Sequence, residues 1–337
     1  MISIIIPTYN NAELLERCLS SISRQAVSEW EAIIIDDGST DSTAVLCKKY
    51  CEKDDRFRYY YQSNSGVSAA RNKGLDLCRG DYVTFLDADD YFTEDALSII
   101  ENNITKYPGK KLFIYDALIK DSEDNAYIYI CRNKKDYFAI GDLFFDTVQT
   151  AECSYNQWLS GILAKVYSRD VIEKLRFHPD IMVGEDTCFL IECYSLLQDI
   201  ALIQLLEEHW YVYDRTNAQS ATHCFKRDLL ETSKLQLDFI LDKARFLKTY
   251  DHKRKATTLC KFCWNLFWIM YYQGQTVKEN SSCFQWYVYT QQYINAKDLY
   301  PIEFDDRLAA MSFKYRHLLK NSLIRKILQK IYIIRKH

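Results

Sequence analysis

Three apolar runs near the start of the chain, Ser3 to Ile6, Ala32 to Ile35 and Val83 to Leu86, each break off in polar residues, with helical patterns between them. A run with apolar residues on both of its faces has to be covered on both, as in a strand of a sheet flanked by helices. Leu14, Leu15, Cys18, Leu19 and Ile22 recur at helical spacing, so their stripe can cover one of those faces. Another pass runs through Leu46, Cys47, Tyr50 and Cys51 to a strand at Phe57–Tyr61, then to the loop and helix of Asn64–Gly74. The alternation predicts an α/β fold, in which ligands bind beyond the carboxyl ends of the strands.

Those ends carry polar chemistry. Asn10 and Asn11 follow the first strand, Asp36-Asp37-Gly38-Ser39-Thr40-Asp41 closes the second, and Asp87-Ala88-Asp89-Asp90 follows the run from Gly80 to Leu86. Clustered carboxylates repel one another and lose hydration when covered, so they call for a cation or for solvent. Along an extended segment Asp87 and Asp89 point the same way and could share one hard metal ion, with Asp90 facing elsewhere. The alternative is an acidic strand-to-helix turn, with Asp as the N-cap of a helix beginning near Glu94. Further on, Val183-Gly184-Glu185-Asp186 precedes an apolar stretch through Ile191, Tyr194 and Leu197. Glu185 and Asp186 thus fall at the amino-terminal end of a helix, where the helix dipole favours carboxylate charge and a cap is an equally good reading.

With 337 residues, 48% hydrophobic and 26% charged, the chain suffices for one large domain and a smaller one. A net charge of -3 argues against a general nucleic-acid binder, which needs a basic surplus to neutralise phosphates. A strand at Ser3 leaves no signal peptide expected, and the 12 cysteines are scattered, so reduced and buried thiols in a cytoplasmic protein are expected. Cys260 and Cys263 form a C-x-x-C without a second pair at zinc spacing. The 26 tyrosines could serve sugar stacking, though abundant Ile, Lys and Asn point equally to genome composition. Strand patterns continue at Leu112–Tyr115, Tyr127–Ile130 and Leu202-Ile203, and after Arg215 long helical patterns take over. The expected boundary therefore separates a sheet domain, 1–215, from a helical extension, 216–337.

In order and approximate spacing, Ile5-Ile6-Pro7-Thr8-Tyr9-Asn10, Asp36-Asp37-Gly38-Ser39-Thr40-Asp41, Gly66-Val67-Ser68-Ala69-Ala70-Arg71-Asn72, Phe85-Leu86-Asp87-Ala88-Asp89-Asp90 and Glu185-Asp186 resemble the motifs of family 2 glycosyltransferases. The resemblance implies the GT-A fold: an α/β, mixed and mainly parallel sheet flanked by helices, here with a helical carboxyl-terminal extension. It also implies an inverting, hexosyltransferase-type enzyme of bacterial polysaccharide and cell-envelope synthesis. Such an enzyme moves a sugar from a UDP-sugar donor to a hydroxyl of a glycan or lipid-linked glycan. By the same resemblance Tyr9 stacks on the base, Pro7 brings backbone groups close to it, and Asp37 accepts a hydrogen bond from a uracil N–H. Arg71 faces the phosphates or the base edge, its alternative being a surface ion pair with a neighbouring acid. Asp87 contacts ribose or metal, and Asp89 is the principal protein ligand to Mg2+ or Mn2+. Asp186 is the candidate base for the acceptor hydroxyl, and Glu185 supports it or meets the acceptor.

His209-Trp210-Tyr211-Val212-Tyr213-Asp214-Arg215 is similar to the aromatic strand near the acceptor in related enzymes, with core packing as the other explanation. His223 is a candidate for the metal or diphosphate. The segment 314–337 is basic and imperfectly amphipathic, suited either to an anionic membrane surface or to a docked or solvated helix. The run Phe262–Tyr272 is too short to span a bilayer. Two rivals remain: a nucleotidyltransferase, which should carry a glycine-rich basic loop after the first strand, and a catalytically inactive sugar-nucleotide-binding or assembly subunit. The chain has Pro7-Thr8-Tyr9-Asn10-Asn11 where the first rival needs glycines, and intact acids at Asp87, Asp89 and Asp186 against the second.

Overall fold

A computed structural model describes residues 1–122, 125–129, 139–150, 161–182, 184–216 and 229–247. In chain order the elements are β1 (Ile2–Thr8), α1 (Ala12–Ser23), β2 (Trp30–Asp36), α2 (Thr43–Lys53), β3 (Phe57–Tyr61), α3 (Val67–Leu77), β4 (Tyr82–Phe85), β5 (Tyr91–Phe92) and α4 (Ala96–Lys106). They continue through β6 (Leu112–Ser122), β7 (Asn125–Tyr129), α5 (Ile140–Thr150), β8 (Lys165–Ser168), α6 (Arg169–Ile172), α7 (Glu185–Leu197), β9 (Ile203–Asp214) and α8 (Leu229–Lys243). The chain divides into two compact units. Unit one comprises Met1–Ile140, Gly161–Pro179 and Cys188–Cys224, and unit two comprises Gly141–Ser160, Asp180–Thr187 and Phe225–His337.

Unit one holds the sheet, ordered β3-β2-β1-β4-β8-β6-β9-β5 with β7 paired to β6. The first four strands in that order are parallel, β8 is antiparallel to β4 and β6, and β9 returns parallel to β6. The apolar runs explain the arrangement, since every residue of β1 and β2 is buried and helices cover the sheet. Helix α3 lies so close to β1 that a Cβ added at Gly74 would stand 2.3 Å from Ile5 Cγ2.

Register brings the polar ends to one edge. Thr8 lies opposite Asp36 and Asp36 opposite Tyr61, so β1, β2 and β3 end at one level. Strand β4 stops earlier, its Phe85 opposite Ile5, and Leu86 N–H then donates to Ile5 O at 3.0 Å. Alternate residues of a parallel strand bond to opposite neighbours, so Pro7, like Ile5, faces the β4 side. The ladder has ended there, and the missing N–H of proline costs no bond.

At the opposite edge Glu31 ties four segments together. Its carboxylate accepts from Ser3 Oγ at 2.7 Å, Arg79 N–H at 2.5 Å and Arg58 Nη1 at 2.7 Å, while Gly80 N–H donates to Ser3 Oγ at 2.8 Å. Burial alone would raise the Glu31 carboxyl, but these bonds outweigh it and hold the group below its ordinary range.

The chain after Asp90 departs from the alternative reading, in which one of these acids caps a helix directly after the strand. The two-residue β5 pairs with β9, and α4 begins only at Ala96 after Asp95, so Asp90 caps no helix. Among the described cysteines, Cys18, Cys47, Cys78, Cys188 and Cys193 are buried and Cys51 is half-buried, all as free thiols. No described helix is long and apolar enough to cross a membrane. His223, Cys260, Cys263, the Phe262–Tyr272 run and the basic segment 314–337 lie outside the described residues.

Candidate active site

Four loops converge at the carboxyl edge of the parallel strands in unit one. The loops after β1 and β2 bind each other: Asn10 N–H donates to Ser39 Oγ at 2.9 Å, Thr40 N–H to Asn10 Oδ1 at 2.7 Å, and Ala12 N–H to Asp41 Oδ2 at 3.2 Å. Asn10 takes a left-handed φ of 47°, which asparagine tolerates. Just before it, Tyr9 stands 51% exposed. Asp36 is buried, accepting from Ser39 N–H at 2.8 Å and from the Tyr59 hydroxyl at 2.7 Å.

Asp37 closes the third loop onto the second. One carboxylate oxygen accepts from Gln62 Nε2 at 2.7 Å and Ser65 N–H at 2.9 Å, and the other from Gly66 N–H at 2.8 Å. Gly38 permits the approach, with φ of 89° and a hypothetical Cβ only 2.8 Å from Asn64 N. Asp37 is therefore a loop clamp whose second oxygen keeps accepting capacity.

Arg71 projects from α3, which that loop introduces. It is 3% exposed, its Nη2 lies 3.1 Å from Asp87 Oδ1, and its guanidinium sits 5.3 Å from the centre of the Phe177 ring. The expected alternative of a surface ion pair is thus corrected: Arg71 and Asp87 do pair, but the arginine is buried.

The acids after β4 form a turn, closed by Asp90 N–H donating to Asp87 O at 3.0 Å, where an extended run was expected. Asp87 and Asp89 stay half-buried, while Asp90 is fully buried and faces away. The Asp90 carboxylate accepts from the Tyr211 hydroxyl at 2.5 Å and from Asp214 N–H at 2.9 Å. Burial first, and then the charges of Asp89 and Asp87, push the Asp90 carboxyl well above its ordinary range. Burial, with the same acids behind it, pushes the Tyr213 hydroxyl up to about 12. The three carboxyls of the turn therefore work against one another's charge, and burial singles out Asp90 as the one that resists ionisation.

Sequence reasoning did not single out Arg17, Tyr211 or Asp214 as supports of this turn. Tyr211 and Asp214 fell within the noted aromatic strand, whereas Arg17, between the stripe positions of α1, carries no local signal of a role. Asn72 stood in the Gly66–Asn72 motif without a role assigned to it. Its side chain binds both backbone groups of Phe177, at 2.9 and 2.8 Å, and the Phe177 ring stacks on Phe189 of α7 at 4.1 Å.

In unit two, Glu185 and Asp186 occupy the first turn of α7, as expected, and both are half-buried. Gly184 precedes them with φ of 75°, and a Cβ there would meet the Gln236 amide of α8 at 1.9 Å. The left-handed φ favours glycine there, and any Cβ would require the end of the Gln236 side chain to move.

The model of glycosyl transferase family 2 matches residues 3–154. An uncharacterized glycosyltransferase of Haemophilus influenzae is 32% identical over 200 residues, covering 57% of this chain and 71% of that protein. Glycosyltransferase GlyA of Streptococcus pneumoniae is 33% identical over 203 residues, 59% of this chain but only 29% of its own length. Glycosyltransferase EpsJ of Bacillus subtilis, also uncharacterized, is 29% identical over 66% of this chain and 63% of its length. Among solved structures, S. aureus TarS 1–349 in complex with UDP-GlcNAc superposes with a TM-score of 0.67, covering 88% of this chain and 82% of that one at 18% identity. The mannosyltransferase PcManGT of Pyrobaculum calidifontis, in complex with GDP-Man and Mn2+, gives 0.52 at 14% identity over 99% of this chain and 85% of that one. The fold is the GT-A arrangement, a mixed, mostly parallel sheet flanked by helices. The chain belongs to glycosyl transferase family 2.

Proposed function

We propose that the chain is an inverting glycosyltransferase that transfers a sugar from a UDP donor to a hydroxyl of a glycan or lipid-linked glycan. The acidic turn Asp87–Asp90 carries the reading, because it sets two half-buried carboxylates, Asp87 and Asp89, at the edge that also holds Asp37 and Arg71. A divalent cation fits there, since two half-buried carboxylates on one turn form a hard oxygen donor set. Among the described residues no three acidic, His or Cys side chains converge on a ready-made cage. That suits Mg2+ or Mn2+, which complete their shells with water and substrate phosphates. Asp89 would be the principal ligand, and Asp87 would serve ribose or cation. When bound, the cation supplies Lewis-acid stabilisation of the departing diphosphate.

The chain's own residues do the rest. Tyr9 offers an exposed ring to the base just beyond the end of β1, close to Pro7, and the remaining capacity of Asp37 accepts from a uracil N–H. Arg71 holds Asp87 in place and adds positive charge on the phosphate side. Asp186 is assigned the base, removing the acceptor hydroxyl proton as that oxygen attacks the anomeric carbon; a single displacement inverts the configuration. The complexes of TarS with UDP-GlcNAc and PcManGT with GDP-Man and Mn2+ support a nucleotide-sugar donor and a divalent ion. A cytoplasmic enzyme acting on membrane-borne acceptors is the setting this reading implies.

A panel of nucleotide sugars with Mn2+, assayed for slow hydrolysis by wild type and Asp186→Asn, tests the proposal. One UDP-sugar should be hydrolysed by the wild type, and Asp186→Asn should keep its UDP affinity while losing about a hundredfold or more in turnover. Turnover near normal in the variant would return Asp186 to a helix-end acid. Binding without hydrolysis of any donor would favour the inactive-subunit reading.

A further inference from the structure

Arg17 of α1 reaches two acceptors far away in sequence. Its Nη2 donates to the main-chain carbonyl of Asp89 at 2.7 Å, and its Nη1 to Asp214 Oδ2, at the end of β9, at 2.5 Å. The guanidinium also lies 4.5 Å from the centre of the Tyr91 ring. Asp214 is 1% exposed; its other oxygen accepts from Thr216 N–H at 2.9 Å and the Thr216 hydroxyl at 2.6 Å, and Lys120 Nζ lies 3.8 Å from Oδ2. From the other side β9 grips the next residue of the turn, through Tyr211 and Asp214 N–H on the Asp90 carboxylate. Tyr211 oxygen additionally accepts from Asp87 N–H at 3.3 Å.

The peptide between Asp89 and Asp90 is thus held at its carbonyl by α1 and at the following side chain by β9. With the backbone fixed on both sides, the direction in which Asp89 leaves the turn is set. We propose that Arg17 is a positioning residue, a two-point clamp that locks the Asp87–Asp90 turn to the end of β9 and so aims the Asp89 carboxylate at the cation. This rests on the metal-assisted reading given above. A planar, five-donor guanidinium can serve a carbonyl and a carboxylate at once, whereas an ammonium on a flexible stem cannot hold both in fixed geometry.

Two variants of the full chain separate the clamp from a general scaffold role. Arg17→Met keeps most of the stem and removes both bonds; Arg17→Lys keeps the charge beside buried Asp214 but loses the fork. Amide exchange in metal-free protein and Mn2+ affinity in the presence of UDP, with UDP affinity in the absence of metal as the reference, supply the readouts. Both variants should speed exchange at residues 86–92 and weaken Mn2+ binding by about tenfold or more, equivalent to about 1.4 kcal/mol. UDP affinity without metal should change by less than about twofold. Unchanged Mn2+ affinity, or a parallel loss of metal-free UDP binding, overturns the proposal. Should Arg17→Met fail to fold, Arg17→Lys decides by the same two readings. If the wild type takes up no Mn2+, the functional reading falls, and exchange at 86–92 then decides separately whether Arg17 clamps the turn.

Discussion

Asp36, Asp37, Asp87, Asp89 and Asp90 share one sheet edge, yet their surroundings divide them by task. Asp36 and Asp90 are fully buried and committed to hydrogen bonds from Tyr59, Ser39, Tyr211 and Asp214. Asp37 spends most of its accepting capacity on the loop from Gln62 to Gly66, and Asp87 is paired with Arg71. Asp89 is half-buried on the same turn, so its carboxylate keeps some access to solvent, and the reading makes it the principal ligand of the cation. Asp89→Asn keeps the shape and removes that charge. Calorimetry with UDP should show the Mn2+ enhancement of binding lost, by about tenfold or more, with metal-free affinity kept; full enhancement in the variant would exclude Asp89 as the ligand. The acids themselves were legible in the sequence because clustered carboxylates at strand ends are unusual locally. Their division was not, because it depends on Gln62, Arg71, Tyr211 and Asp214, which only folding brings to them.

Among the elements, the buried runs of β1 and β2 and the stripe of α1 could be read from spacing because both faces of a strand and one face of a helix must be apolar. The short β5 could not. Two residues carry no period, and Tyr91 and Phe92 become a strand only because Val212 and Tyr211 pair with them. The same long-range pairing moves the start of α4 to Ala96 and leaves Asp90 for β9 rather than for a helix end. Helix α3 shows how tightly an element can be fixed. Gly74 and Ile5 are buried in contact, and Ile5 sits on the strand that leads to Tyr9. Gly74→Ala should therefore destabilise by about 1–3 kcal/mol through overpacking, reduced by the roughly 1 kcal/mol that alanine gains over glycine in a helix. Urea unfolding of Gly74→Ala, Ile5→Ala and the pair gives the check. Ile5→Ala should cost less beside Ala at position 74 than in the wild type, whereas strictly additive costs would mean that the two side chains do not collide.

For the molecule as a whole, pH sensitivity follows from how many carboxylates folding shifts and in which direction. Burial works against the charged form of Glu31, Asp41, Asp170 and Asp214, yet hydrogen bonds and neighbouring cations outweigh it, and the bond from Arg56 dominates at Asp54, so all five are held below their ordinary range. A depressed carboxyl contributes stability that is complete above its unfolded pKa, about 4, and is lost as pH falls through the lower folded value. Asp90 works the other way, its raised folded pKa giving stability that is present at low pH and lost as pH rises. Among the described residues, five groups against one predict acid lability, with the unfolding free energy falling as pH drops from about 5 towards 3. Glu31 should be a large contributor, since its side chain is 7% exposed and its bonds join β1, β2, β3 and the turn before β4. Glu31→Gln should cost about 1–3 kcal/mol at pH 7, because a buried acceptor site is lost and Arg58 is left without its charge partner. The loss should shrink below pH 4, where the wild-type carboxylate is itself being protonated. Denaturant unfolding of both proteins at pH 7, 5, 4 and 3 measures it, and parallel curves that never converge in acid would show that the Glu31 charge does not hold the sheet's lower edge.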